Sequence, residues 1–489
     1  MPIQIPTLNF VALAPPLIVI ATALLVLLAD LVVAEKRVLG YLGLLGVVIA
    51  GIVSLALWGS APLAFQAMAV SDGYTLFFNL VFLTTAALSL LAAIDYLERK
   101  GLQRGEYYAL LLFSTSGMLF MAAATDLIVV FLGLEIMSVA LYILAGFNRG
   151  QFASIEAAMK YFILGAFASA FFLYGAALTY GATGTTNLAQ IGAWLAEGGG
   201  GIPRDPMALA GLGLLLVGFA FKVAAVPFQW WTPDVYQGAP TSVTAFMSVG
   251  AKAAGFAALL RVLFSAFSPA FTGDWMIAAA ALAALTMTAG NLAALAQKDV
   301  KRMLGYSSIA HAGYILVGVA AGNADGVRGV LFYLLAYAFM NVGAFAVACA
   351  VERRGEFSST LADYAGLGRQ QPLLAAAMAV FMLSLTGIPP LVGFWGKLYV
   401  FRAAVEADMT WLAILGVLNS AISAFYYLGV LVQMYMHEPA PAAVGESQPA
   451  PITLGAAIGA AVLLAALVTV ALGVWPAPVA DLVALIRLG

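Results

Sequence analysis

The chain has 489 residues, 64% of them hydrophobic and only 9% charged, with a formal net charge of −2. A soluble domain carries about 25% charged residues, so this composition, with a mean hydropathy of +1.02, excludes an ordinary soluble protein. The near balance of 21 basic and 23 acidic residues gives no basic footprint for nucleic acid, and a single cysteine, Cys349, excludes a disulfide framework or a cysteine-ligated cluster.

The apolar character is continuous, so residues 1–489 read as one integral membrane domain. The first apolar stretch, 12–33, has no basic residue ahead of it and is followed by Glu35, Lys36 and Arg37. That is the layout of a spanning helix with an outside N-terminus rather than of a cleaved leader. Stretches long enough to span, about 20 residues each, follow near 38–58, 74–95, 107–124, 126–146, 157–180, 207–230, 240–261, 276–296, 303–320, 327–350, 373–400, 409–434 and 453–474. They are long, unalternating and rich in Ala, Leu and Gly, unlike the short alternating strands of a barrel. The expected fold is an all-α polytopic membrane protein with about fourteen transmembrane helices. Cys349 lies in an apolar run and reads as packing.

Basic residues set the expected orientation. Lys36, Arg37, Arg99, Lys100, Arg104, Arg149, Lys298, Lys301, Arg302, Arg353, Arg354 and Arg369, twelve of the 21, follow odd-numbered segments. The opposite loops and ends hold Arg204, Arg261, Arg328, Arg402 and Arg487. By the positive-inside rule the odd exits are cytoplasmic. Both termini then face outward, which requires an even number of spans. The two longest linkers, Asn187 to Asp205 and His437 to Pro451, are Gly-rich and Pro/Ala-rich and read as flexible outer loops.

Within the segments, taken in order, lie the charges that chemistry must explain. An ionised group at membrane depth costs roughly 2.5–3.5 kcal/mol on insertion scales and is a functional hypothesis by default. Glu135 is centred in its segment; the plain alternative is a carboxylate that ties two helices. Lys160 has Glu156 one turn before it, so a surface i,i+4 pair and a relay role stand side by side. Lys222 is followed by Pro227, which opens the helix backbone; the alternative is a lysine snorkelling to the headgroups. Lys252 is surrounded by Gly250, Ala251, Ala253, Ala254 and Gly255, which leave room for its amine or else mark a close helix crossing. His311 suits proton relay or is a structural histidine satisfied by Ser307, Ser308 or Tyr314. Lys397 follows Gly387 and Pro389–Pro390 in one interrupted segment, a pointer to a transport site, with snorkelling again the rival. A buried lysine loses proton affinity on desolvation and regains it beside a carboxylate, so a row of them is a switchable proton store. Nothing in the chain resembles a nucleotide loop, a metal cluster or a haem ligand set, so no cofactor or metal is expected on it.

The stretches FKVAAVPFQWWTPDVYQGAPTSVTAF (221–246), QKDVKRMLGYSSIAHAGYIL (297–316) and SLTGIPPLVGFWGKLYVF (384–401) resemble the signatures of the antiporter-like membrane subunits of respiratory complex I, NADH:quinone oxidoreductase. The likeness is greatest to the N-type branch and extends over roughly the whole chain; Mrp-type sodium/proton antiporters share part of it. The resemblance implies a proton-translocating subunit of the quinone-reducing enzyme. Its row would run through Glu135, paired with Lys222, then Lys252, His311 and Lys397. A lysine at the last position, where another branch has glutamate, favours the N type. It further implies two inverted five-helix repeats with broken helices, near 107–261 and 276–434. The short echo of SVALYIL (138–144) in IAHAGYIL (309–316) fits those repeats but is no evidence alone. NADH, FMN, iron–sulfur clusters and quinone are expected on other subunits. Neighbouring antiporter-like and other membrane subunits, and lipids, are expected as partners, in a bacterial inner membrane. Two positions depart from the family: Gln229, often histidine, and Gln237, often glutamate, which puts proton entry at that loop in doubt. An Mrp-type antiporter subunit and a structural spacer with idle lysines are the competing functions.

Overall fold

The computed structural model describes residues 9–198, 204–268, 270–352, 360–438, 454–486 and 488. Arg353, Arg354, Arg487, residues 199–203 of the first long linker and residues 439–451 of the second lie outside them. Nineteen α-helices follow in order: α1 (Ala14–Asp30), α2 (Arg37–Ala56), α3 (Gly73–Lys100), α4 (Gly105–Ala123), α5 (Leu127–Ala145), α6 (Phe152–Thr183), α7 (Leu188–Ala196), α8 (Pro206–Val223), α9 (Trp231–Gly238), α10 (Thr241–Ala266), α11 (Thr272–Leu295), α12 (Val300–Ala320), α13 (Ala324–Val351), α14 (Leu367–Gln370), α15 (Pro372–Thr386), α16 (Val392–Glu406), α17 (Thr410–Met436), α18 (Ala456–Val474) and α19 (Ala477–Ala484). A two-stranded ribbon, β1 (Leu63–Ala64) and β2 (Ala69–Val70), joins α2 to α3.

Eleven of these helices are long and apolar enough to cross a membrane, and α1 and α15 are shorter apolar helices. Length and composition alone therefore fall short of the fourteen spans expected. The difference arises partly because the segment at 373–400 is not one helix: it divides into α15 and α16, of 15 residues each. The segment at 207–230 likewise ends early, at Val223, and resumes as α9.

The helices are apolar on all sides, the pattern of helices that meet lipid or one another rather than water. Burial sorts them. α10, α12 and α13 are buried along almost their whole length, whereas α6 and α17 are buried over only a third of their apolar windows. Phe162, Ile163 and Phe167 of α6 and Val417, Leu418 and Phe425 of α17 are exposed. Lys252 and His311 are thus carried on central helices, whereas Lys160 stands on the exposed α6.

Close crossings use small residues, the usual device where lipid offers no hydrophobic drive for association. A Cβ on Gly117 of α4 would meet the Met137 backbone N of α5 at 2.4 Å, and one on Gly313 of α12 would meet that of Met287 of α11 at 2.4 Å. Other features also recur along the chain. Asp126 caps α5 and bridges to Asn187; Asp299 caps α12 and bridges to Thr360. α8 ends on Ala224 and α15 on Gly387, both left-handed, with φ of 61° and 95°.

Basic residues collect at one end of the bundle, here the basic face. Asp234 in α9 meets Lys160 at 2.7 Å and Arg302 at 2.8 Å, while Arg37 meets Asp95 at 2.9 Å. The opposite face is tied by Arg261 and Asp72 at 2.9 Å. Arg261, expected at the outer end of its segment, lies inside α10 and is buried, held by the Asp72 cap of α3 and by Thr75. Burial alone would raise the Asp72 carboxyl; the Arg261 guanidinium and the Thr75 bonds outweigh it and hold it below the usual range. The linker after Asn187, expected to be wholly flexible, forms α7. Asn187 accepts from the Gln190 N–H as N-cap, and Leu188, Ile191 and Leu195 are buried.

Candidate proton-relay axis

Glu135 stands on α5 and accepts a hydrogen bond from Ser169 of α6. The expected ion pair with Lys222 is not formed: among the described residues Lys222 has no carboxylate within 4.0 Å. Its Nζ instead donates to Ser138 Oγ at 2.7 Å, one helical turn from Glu135. Lys222 is 3% exposed and lies 5.7 Å from the centre of the Tyr161 ring, which stacks on Trp231. It is turned inward, so the snorkelling alternative does not describe it.

Lys222 is the penultimate residue of α8, against Gly255 of α10, where a Cβ would come 3.4 Å from its Cγ. Three residues away on α10, Lys252 gives its protons to the carbonyl and hydroxyl oxygens of Ser308 on α12. Three residues on from Ser308 is His311, 1% exposed. The structural alternative would have it satisfied by Ser307, Ser308 or Tyr314. Its ring nitrogens meet the hydroxyls of Tyr333 at 2.7 Å and Tyr427 at 3.0 Å instead, since Ser308 serves Lys252 and Ser307 bonds Tyr427. Tyr314 lies edge-on to His311, ring centres 5.6 Å apart, and its other side faces Lys397, whose Nζ is 4.6 Å from the ring centre. Lys397 is buried and donates to the Thr386 carbonyl at 2.8 Å, at the break between α15 and α16. A cation against the free carbonyls of a helix C-terminus is a favourable arrangement. It too faces inward rather than toward the headgroups.

The five groups therefore form one row, with steps of a single helical turn or one aromatic ring between neighbours. Each cation rests on neutral oxygen, which holds the amine without fixing its charge as a tight carboxylate pair would. Lys160 is outside the row. It is 40% exposed and joins Glu156 at 2.8 Å and Asp234 at 2.7 Å. Arg302 bonds the same aspartate and Gln237 Oε1 at 3.0 Å, so the Gln237 departure lies in this surface network. Gln229 Oε1 is buried without a protein partner among the described residues.

A buried row of lysines with broken helices on either side of a central core defines an antiporter-like membrane protein. Residues 124–423 match the family described as NADH:quinone oxidoreductase/Mrp antiporter, TM. The chain is 53% identical over 431 residues to NADH-quinone oxidoreductase subunit N of Trichlorobacter lovleyi, covering 88% of each. It is 48% identical over 485 residues to subunit N of Chloroflexus aggregans, covering 98% of each. Among solved structures, a chain of respiratory complex I from Thermus thermophilus with bound aureothin matches with a TM-score of 0.80 and 39% identity, over 96% of this chain and 98% of that one. A chain of the Mrp complex from Dietzia sp. shares the fold, with a TM-score of 0.85 at 23% identity, over 96% of each. The chain belongs to the NADH:quinone oxidoreductase/Mrp antiporter family of multi-pass membrane proteins.

Proposed function

We propose that the chain is the N-type, non-redox membrane subunit of a proton-translocating NADH:quinone oxidoreductase. The observation that carries this is the row from Glu135 through Lys222, Lys252 and His311 to Lys397. The relatives that match it over nearly their full length, all named as subunit N, support the same reading. In this proposal Lys222, Lys252 and Lys397 each take up and release a proton, and His311 passes it between the tyrosines that hold its ring. Glu135 supplies the counter-charge, acting through the Ser138 turn. Lys160 ties the basic face and carries no proton. The chain would lie beside other antiporter-like membrane subunits, in a bacterial inner membrane, with NADH, FMN, iron–sulfur clusters and quinone bound elsewhere in the assembly.

Fourteen crossings follow if α8 with α9, and α15 with α16, each count as one and the short α7, α14 and α19 do not cross. The recurring Asp caps, bridges and breaks support inverted repeats at about 107–261 and 276–434. The basic face is then cytoplasmic and both termini lie outside.

Native electrophoresis of solubilised membranes, probed for this chain and stained for NADH oxidation, tests the assignment. Migration in a large NADH-oxidising assembly is expected. Migration only in a smaller complex without that activity would move the reading to a sodium/proton antiporter.

A further inference from the structure

Glu352 at the C-cap of α13 is a carboxylate the row does not use, and it is 1% exposed. Its Oε2 accepts from the Tyr96 hydroxyl at 3.0 Å and faces Lys100 Nζ at 3.4 Å. Its Oε1 accepts from the Thr241 hydroxyl and faces Lys301 Nζ at 3.6 Å. Four helices thus converge on one buried acid at the basic end of the bundle: α3 through Tyr96 and Lys100, α10 through Thr241, α12 through Lys301, and α13 itself.

The same helices carry polar groups from this level up to Lys252. Thr241, Ser248 and Lys252 recur on α10 at intervals of seven and four residues, so they share one stripe. Eleven residues rise about 16 Å. On α12, Lys301 stands seven residues before Ser308, which holds Lys252. On α13, Asn341 stands eleven residues before Glu352 and donates to Ser248 Oγ at 2.7 Å. Asn341 Oδ1 and the Tyr337 hydroxyl are buried and have no protein partner among the described residues. Tyr337 lies 5.1 Å from His311, ring centre to ring centre, at the top of this column. Buried polar groups left unpaired by protein are the positions where bridging water is held.

We propose that Glu352 is the group through which protons enter the row from the basic face, delivering them along the Thr241, Ser248 and Asn341 stripe to Lys252. This rests on the reading of Lys252 as a proton carrier. In the transfer, the O–H bond of the Glu352 carboxylic acid breaks and an N–H bond forms on the neutral Lys252 amine, leaving carboxylate and ammonium. Lys100 and Lys301 stabilise the emptied carboxylate, which is then refilled from the basic face. Entry here does not depend on Gln229 or Gln237, whose side chains cannot titrate.

The test measures protons taken up per NADH oxidised in vesicles holding the whole assembly, at matched assembly levels, across pH 6–8. Glu352→Gln keeps the size and one acceptor oxygen but has no proton to release; a fall of threefold or more is expected, with Glu352→Asp recovering most of it. Lys252→Ala is run alongside. Wild-type uptake in Glu352→Gln with loss in Lys252→Ala overturns this inference and leaves the row standing; wild-type uptake in both removes the row as well. If Glu352→Gln does not assemble, Ser248→Ala decides, because that hydroxyl carries no charge. Uptake lowered several-fold supports the column, and wild-type uptake overturns it.

Discussion

Lys222 donates to Ser138, which stands one helical turn from Glu135. The hydroxyl accepts from the lysine while donating to the Leu134 carbonyl of its own helix. A hydrogen bond to a charged group contributes about 1.5–3 kcal/mol, a factor of ten or more in a population. Ser138→Ala is expected to lower proton uptake about tenfold with assembly unchanged. Combined with Glu135→Gln it should be less than additive, since both substitutions act on the same ammonium. Uptake measured for the four members of that cycle checks this; strict additivity would separate Glu135 from Lys222. The lysines themselves were readable in the sequence, because a charge in an apolar run announces itself. Their oxygen partners were not. Ser138 and Ser308, which hold Lys222 and Lys252, and Tyr333 and Tyr427, which hold His311, come from other segments, and nothing in a serine or tyrosine within an apolar helix distinguishes such a partner from a helix-packing residue. Glu352 was passed over because it lies just beyond the apolar run of its segment, where an acid reads as a loop residue.

At the scale of elements, the crossings of α4 with α5 and of α11 with α12 leave no space for a methyl group. A Cβ at Gly313 would press on backbone, which cannot turn aside as a flexible side chain can. Overpacking of this kind costs about 1–3 kcal/mol. Gly313→Ala is therefore expected to lower the half-inactivation temperature of the detergent-solubilised assembly by several degrees. Gly51→Ala in α2, where nothing lies within 4 Å, should leave it unchanged or slightly raised. Equal effects at the two positions would mean that the crossing is not what limits substitution. The tie between α3 and α10 adds a pH dependence. The Asp72 carboxyl is held below its unfolded value of about 3.9. Its contribution is present above that value and is lost as pH falls through the folded one. Asp72→Asn should be less stable at neutral pH and should show a flatter decline below about pH 4 than the parent.

Most elements were legible in the apolar pattern, with ends displaced by a few residues: 157–180 became α6 at Phe152–Thr183, and 327–350 became α13 at Ala324–Val351. The breaks were signalled by Pro227 and by Gly387 with Pro389–Pro390, though not the distinct short helix α9 that follows the first. α7 was missed because its turn of Gly-rich linker hides a nine-residue helix whose buried face needs α10 to be visible.

At the scale of the whole molecule, the row becomes one device only if every member both accepts and releases a proton. Lys252 is the member that decides it, since it stands between Lys222 and His311 and receives the column from Glu352. Arginine preserves the positive charge and the capacity to bond Ser308, but effectively cannot give up its proton. Lys252→Arg should therefore assemble at the parental level while proton uptake falls tenfold or more, and Lys252→Ala should fail equally by removing the carrier. A lysine present only to satisfy Ser308 and pack the centre of the bundle would give the opposite order, with arginine tolerated and alanine not. NADH oxidation and proton uptake are measured on the same vesicles, so that loss of assembly is told apart from loss of transfer. Parental uptake in Lys252→Arg would show that this site never has to release its proton, and the row would then be broken at its middle.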